Sequence, residues 1–184
     1  MKNSKISGII LSSSNMFEKD KIVELFSESE GKVKLLAKYA NTSKFKFGGK
    51  IDVGHLVSCE VYQGKTFQIL TQCDLIQSFP LVRTTFNRIS MCMYALEIAK
   101  NITAQSQHNP SLYSALLYCL NALNQTEADI DSIRSNFHAS ILMSEGLLHD
   151  TSHLPTDYEF KIAYEDYCGR KLKTPLKLDE SRTK

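Results

Sequence analysis

These 184 residues contain no tryptophan, four prolines and eight glycines. No apolar run approaches the ~20 residues that a membrane-spanning helix needs. The amino-terminal stretch MKNSKISGIILSSSN has a four-residue apolar centre, too short for the hydrophobic region of a secretory signal, so a cytoplasmic protein is expected. The glycine-rich phosphate loop with Walker spacing is missing, as are GxSxG, HExxH and CxxC. Each missing pattern removes a class of site: a nucleotide cradle, a serine nucleophile elbow, a zinc protease helix, a redox or metal hook. No catalytic residue, cofactor or metal is therefore expected. The five cysteines (Cys59, Cys73, Cys92, Cys119, Cys168) lie 14, 19, 27 and 49 residues apart. That is neither a disulfide framework nor a zinc pattern. Most fall in apolar segments, where a free Cys acts as a small hydrophobe. His149 and His153 have metal-like spacing, but Ser152 and Pro155 make the segment a polar loop and no second ligand pair accompanies it.

What the chain does have is a division by pattern and by charge. Residues 1–79 carry eleven lysines against eight acids, 80–160 four basic residues against eight acids, and 161–184 seven against four. The first segment reads as strands. Ile6–Ser13, Asp20–Ser27, Lys32–Tyr39, Leu56–Tyr62 and Thr66–Ile76 are apolar or alternating runs. Glu30-Gly31 and Gln63-Gly64 supply hairpin turns between them. Five short strands in about 80 residues suggest a small closed barrel of OB-fold size.

After Pro80 the period lengthens. Val82, Phe86, Ile89, Met93 and Leu96 recur at helical spacing, widened by Ile98 and Ile102. Asn109-Pro110 opens a second helix with Leu112, Leu116, Cys119, Leu120 and Leu123 on one face. Thr126 with Asp129 forms a short-armed capping pair for a third helix, reaching about Leu148 through Ile130, Ile133, Phe137 and Ile141. Pro155 opens a fourth, with Tyr158, Phe160, Tyr164 and Tyr167. The fold class is α+β: a five-stranded OB-type barrel over 1–79, then an all-helical domain over 80–184.

The stretch GKVKLLAKYANTSKFKFGGK, residues 31–50, contains six lysines and no acid. Lysine faces are ordinarily solvated surface, and the carboxylates of this half (Glu18, Asp20, Glu24, Glu28, Glu30) read as solvated surface too. Here, however, Lys44, Phe45, Lys46 and Phe47 interleave charge with aromatic rings beside Gly48-Gly49. That mixture suits nucleotides, with lysines on phosphates and a ring on a base. Phe45 and Phe47 could equally plug the barrel end. The expected contacts are Lys32, Lys34, Lys38, Lys44, Lys46 and Lys50 for phosphate, and Phe45 for stacking. Two rivals stay open: an RNA-binding OB-fold, and a protein-only adaptor whose lysines are merely solvated.

The order of segments resembles the RecO family of bacterial recombination mediators. GIILSSSNMFEKDKIVELFSESEGKVKLLAKYANTSKFKFGG is similar to its strand, acidic segment, strand, Gly-Lys hairpin and Ala-Lys strand end. Lys46-Phe47-Gly48, MYALEIAKNI and NPSLYSALLYCLNAL extend the likeness to about residue 124. The resemblance implies an OB-fold binding single- and double-stranded DNA, with a helical domain behind it. It also implies strand annealing without nucleotide hydrolysis. Implied partners are RecR and the acidic, hydrophobic carboxy-terminal tail of single-stranded DNA-binding protein, with RecA loaded onto gapped DNA as the outcome. Arg83, Arg88, Lys100 and Arg134 are the candidate basic rim for such a tail. The chain departs from the family pattern at Tyr39, where Gly is usual, and at Asn41-Thr42, often Arg. A CxxC…CxxC zinc segment is replaced by GLLHDTSHLP, implying no zinc and a smaller second domain.

Overall fold

The computed structural model describes residues 3–42, 47–148 and 154–174. His149, His153, Lys44, Phe45 and Lys46 lie outside the described residues.

Five strands run in chain order: β1 (Asn3–Met16), β2 (Asp20–Ser27), β3 (Gly31–Ala37), β4 (Leu56–Gln63) and β5 (Gln68–Gln77). They close into a barrel of order β1-β2-β3-β5-β4. All pairings are antiparallel except β3 with β5, which meet in parallel at Leu35–Gln68 and Leu36–Ile69. This is the OB-fold expected from the strand count. β1 is longer than its apolar run suggests because it serves two neighbours, pairing with β4 through residues 3–9 and with β2 through 9–16. Gly8 sits at that switch. A Cβ there would lie 2.3 Å from the Phe26 carbonyl oxygen, so the two backbones approach closely where a side chain cannot fit. Gly31, at φ +66°, closes the β2–β3 hairpin as its sequence position predicts.

The barrel interior is filled by alternate residues such as Ile10, Leu25, Leu35, Val57, Val61 and Leu70. Phe47 and Ile51 pack into the same cluster, so Phe47 takes the plugging role. A second core begins on the barrel's outer wall, where Ile9, Leu11 and Phe26 meet the helices. Phe26 meets Tyr113 edge to face at 5.7 Å. Because both faces of β1 are covered here, Ile9 through Leu11 reads as a continuous apolar run rather than an alternation.

Four helices follow: α1 (Phe86–Ile102), α2 (Pro110–Leu123), α3 (Ile130–Ser144) and α4 (Asp157–Cys168). α2 starts as its sequence indicates, with the Asn109 side chain accepting from the Leu112 N–H. Two expectations need correction. Phe86, Ile89 and Met93 are exposed, and α1 buries Met91, Cys92, Tyr94, Ala95 and Ala99 beside the expected Leu96 and Ile98. α1 is apolar around most of its circumference, so periodicity does not select a face. The α3 cap is Asp129 itself, accepting from the Asp131 and Ser132 N–H groups; the carbonyl of Thr126 is taken by Arg88. α4 carries a full capping box, Thr156 with Glu159, and ends at Gly169 with φ +62°.

Candidate nucleic-acid interface

Strict alternation on β3 sends Val33, Leu35 and Ala37 inward and Lys32 and Lys34 outward. The segment after α1 lies along the start of this strand: Ser106 N–H donates to the Lys32 carbonyl, and Lys32 bridges Gln105. Barrel and helices thus enclose a cleft of ≈ 380 Å³ with Lys32, Lys34, Lys100 and Arg170 in its lining, together with Glu24. Among the described residues, four cations face one carboxylate there.

Glu24 is buried, contrary to its reading as a solvated acid. It accepts from Ser12 Oγ at 2.6 Å and pairs with Lys100 Nζ at 2.5 Å and Lys34 Nζ at 3.6 Å. Burial pushes its carboxyl upward, but the bonds from Lys100 and Ser12 and the nearby lysine charges outweigh this. The net result lies below its usual range. Glu24 therefore stays ionised and neutralises part of the lysine field that appears unopposed along the chain. Lys32 Nζ donates to the Lys100 carbonyl at 2.6 Å. Burial, helped by the charges of Lys100, Arg170 and Lys34, lowers its pKa despite the pull of Glu24. A half-buried cation pressed by like charges is stabilised by an added anion.

Arg170 reaches the cleft because the chain after α4 is tied back onto α1. Glu97 accepts from the Lys173 and Thr174 N–H groups, both at 2.8 Å, and from Thr174 Oγ1. Sequence reasoning passed over Arg170, whose sole linear signal is its place in a basic tail.

The other expected contacts are spread out. Lys50 pairs with Asp74 at 3.5 Å. Lys38 lies at the barrel end, where it lines an open cavity with Phe17, Glu18, Lys19, Asp20 and Tyr39. The four rim candidates are not brought together. Lys100 joins the lysine cleft. Arg88 donates to the carbonyls of Leu123, Gln125 and Thr126, closing the end of α2. Arg134 binds Asp131 and Asp157. Arg83 donates to the Ser78 and Val53 carbonyls and borders an apolar cavity of ≈ 300 Å³ that includes Phe79, Val82, Ile89 and Met93. Among the described residues no group of three or more His, Cys, Asp or Glu is placed to hold a metal. No described helix is long and apolar enough to cross a membrane.

This barrel-and-helix geometry coincides with two family matches. The family model described as "Recombination protein O N terminal" matches residues 1–79, and "Recombination protein O C terminal" matches residues 83–152. The chain belongs to the RecO family. Similar proteins called DNA repair protein RecO occur in Anaeromyxobacter dehalogenans (28% identical over 150 residues, 80% of this chain and 59% of the relative). Others occur in Symbiobacterium thermophilum (25% over 141 residues, 77% and 56%) and Acetivibrio thermocellus (26% over 142 residues, 77% and 57%). The chain therefore spans 56–59% of the length of these RecO relatives. Arg170 lies beyond the second RecO match, so the tie between Glu97 and residues 173–174 adds to the cleft a cation from outside both matched regions.

Proposed function

We propose that this chain is a non-enzymatic DNA-binding mediator of recombinational repair. It binds single- and double-stranded DNA, anneals complementary strands, and with RecR helps to load RecA on DNA coated by single-stranded DNA-binding protein. The observation that carries the reading is the cleft in which Lys32, Lys34, Lys100 and Arg170 face Glu24 alone, a surplus of positive charge suited to backbone phosphate. Residues 1–79 act as the main DNA-binding unit and 80–184 as the helical unit, which lends Lys100 and Arg170 to the cleft. Lys38, Lys44, Lys46 and Lys50 extend the phosphate track along the barrel, with Phe45 stacking on a base.

The acidic, hydrophobic tail of single-stranded DNA-binding protein docks at the apolar cavity beside Arg83. Exposed Ile89 and Met93 supply apolar surface there, and Arg83 is the cation in its lining. Arg88 and Arg134 hold helices in place rather than contacting the tail, and Lys100 serves the DNA cleft.

The test is equilibrium binding to DNA and RNA oligonucleotides of one sequence, followed by annealing of strands coated with cognate single-stranded DNA-binding protein. DNA binding with annealing of coated strands is expected. A Lys32→Gln/Lys34→Gln variant should bind more weakly, and unchanged affinity would favour a protein-only adaptor. Tighter binding to RNA than to DNA would favour the RNA reading.

A further inference from the structure

Two large aromatic side chains project from the same end of the barrel, and neither belongs to the lysine cleft. Phe17, in the β1–β2 turn, is 80% exposed, and Tyr39, just after β3, is 59% exposed. Strand register makes the two turns neighbours, because Met16 pairs with Asp20 and Lys21 pairs with Ala37. The turns are also bonded to each other. Tyr39 N–H donates to Asp20 Oδ1 at 2.8 Å and Asn41 N–H donates to the Lys19 carbonyl at 2.9 Å. Asn41 Nδ2 donates to the Glu18 carbonyl at 3.2 Å.

Both aromatics sit in left-handed backbone, each with φ +59°. For a bulky side chain this costs on the order of 1 kcal/mol that glycine avoids. The cost is not recovered by burial, because both rings face water. Phe17 and Tyr39 line one open cavity of ≈ 480 Å³ whose remaining lining is Glu18, Lys19, Asp20 and Lys38. Among the described residues the lining is two rings, two cations, two carboxylates and no aliphatic side chain, a poor seat for an apolar peptide. The formal charges of these residues cancel, so the rings rather than a charge surplus set what the cavity takes. Ring faces for stacking and charged edges for hydrogen bonds suit a planar, polar, neutral heterocycle.

We propose that Phe17 and Tyr39 form a stacking clamp for an unpaired nucleobase of single-stranded DNA. The inference rests on the DNA-binding reading and adds to it a base contact beside Lys38 of the phosphate track. The clamp takes bases that are free to leave a stack, so it selects single strands over duplex.

The test compares the full chain with a Phe17→Gly/Tyr39→Gly variant. Glycine is the residue least strained at these φ values, so the variant should melt at or above the wild-type temperature. Its affinity for a single-stranded oligonucleotide should fall roughly tenfold, within the range for loss of base stacking. The slope of log K against log salt should stay the same, as should duplex affinity. Wild-type protein should also discriminate against an oligonucleotide of abasic sites, a comparison that needs no variant. Equal binding of abasic and normal strands, single-strand affinity unchanged in the variant, or equal losses on duplex and single strand would each overturn the clamp. Wild-type protein that binds no DNA at all would instead overturn the DNA-binding reading, and the clamp with it.

Discussion

His138 is fully buried on α3, stacked on Phe160 with ring centroids 3.8 Å apart. Its Nε2 meets the Tyr94 hydroxyl at 2.9 Å, and its Nδ1 lies 3.6 Å from Asp157 Oδ1. Tyr, His and Asp in a row resemble catalytic machinery, but the imidazole has no solvent-exposed face and instead joins α1, α3 and α4. Burial, with the Arg134 charge, lowers its pKa to about 3. Below the ordinary value of about 6.5 the unfolded chain takes up a proton that the folded chain refuses. Its contribution to stability is thus complete above pH 6.5 and is lost as the pH falls towards 3. Urea unfolding of wild type and His138→Phe at several pH values checks this. The variant should be less stable at pH 7, because the Tyr94 hydroxyl loses its partner. Its stability should fall less steeply than wild type between pH 6.5 and 4, and parallel slopes would contradict the assignment. Tyr39 teaches a related lesson at this scale. Its φ of +59° is one that glycine adopts without strain and a bulky side chain does not.

Among the elements, α2 shows how much of a basic residue's role is hidden from its sequence position. Arg88 looks like any cation near a helix start, yet three carbonyls at the end of α2 converge on its guanidinium. A cation at a helix C-terminus also complements the dipole there. Arg88→Ala should cost roughly 1–3 kcal/mol, the range for charge-assisted hydrogen bonds. Arg88→Lys should recover less than half, since an ammonium cannot span three acceptors as a planar fork does. Thermal unfolding measures both, and DNA affinity measured below the transition should not change. The elements themselves were legible where one face meets water. Alternation marks β3, and Asn109-Pro110 marks the start of α2. Legibility failed for the buried face of α1, which packs against the barrel wall, α2 and α3. The side that α1 leaves exposed carries Phe86, Ile89 and Met93, so it has no polar side to give its orientation away.

Across the whole molecule, the lysine-rich stretch divides into parts with different environments. Glu24 from β2, Lys100 from α1 and Arg170 from beyond α4 meet Lys32 and Lys34 through folding alone, which is why linear reading found the lysines but not their cleft. It also missed the neutralisation of Lys34 by Glu24 and of Lys50 by Asp74. These pairings lower the number of phosphates the track can take without cancelling it. The central claim is that this surplus charge binds DNA backbone, and salt dependence measures it most directly. Affinity of the wild-type chain for a single-stranded oligonucleotide should be followed over a fourfold range of salt. Each phosphate neutralised on a single strand contributes about −0.7 to the slope of log K against log salt, so six contacts would give about −4. The four cations of the cleft against one carboxylate predict a slope of about −2 from that site alone, steepened by Lys38 and the lysines that follow it. Lys32→Gln/Lys34→Gln should make the slope shallower by about one. A wild-type slope near zero, or one that these substitutions leave unchanged, would contradict the account.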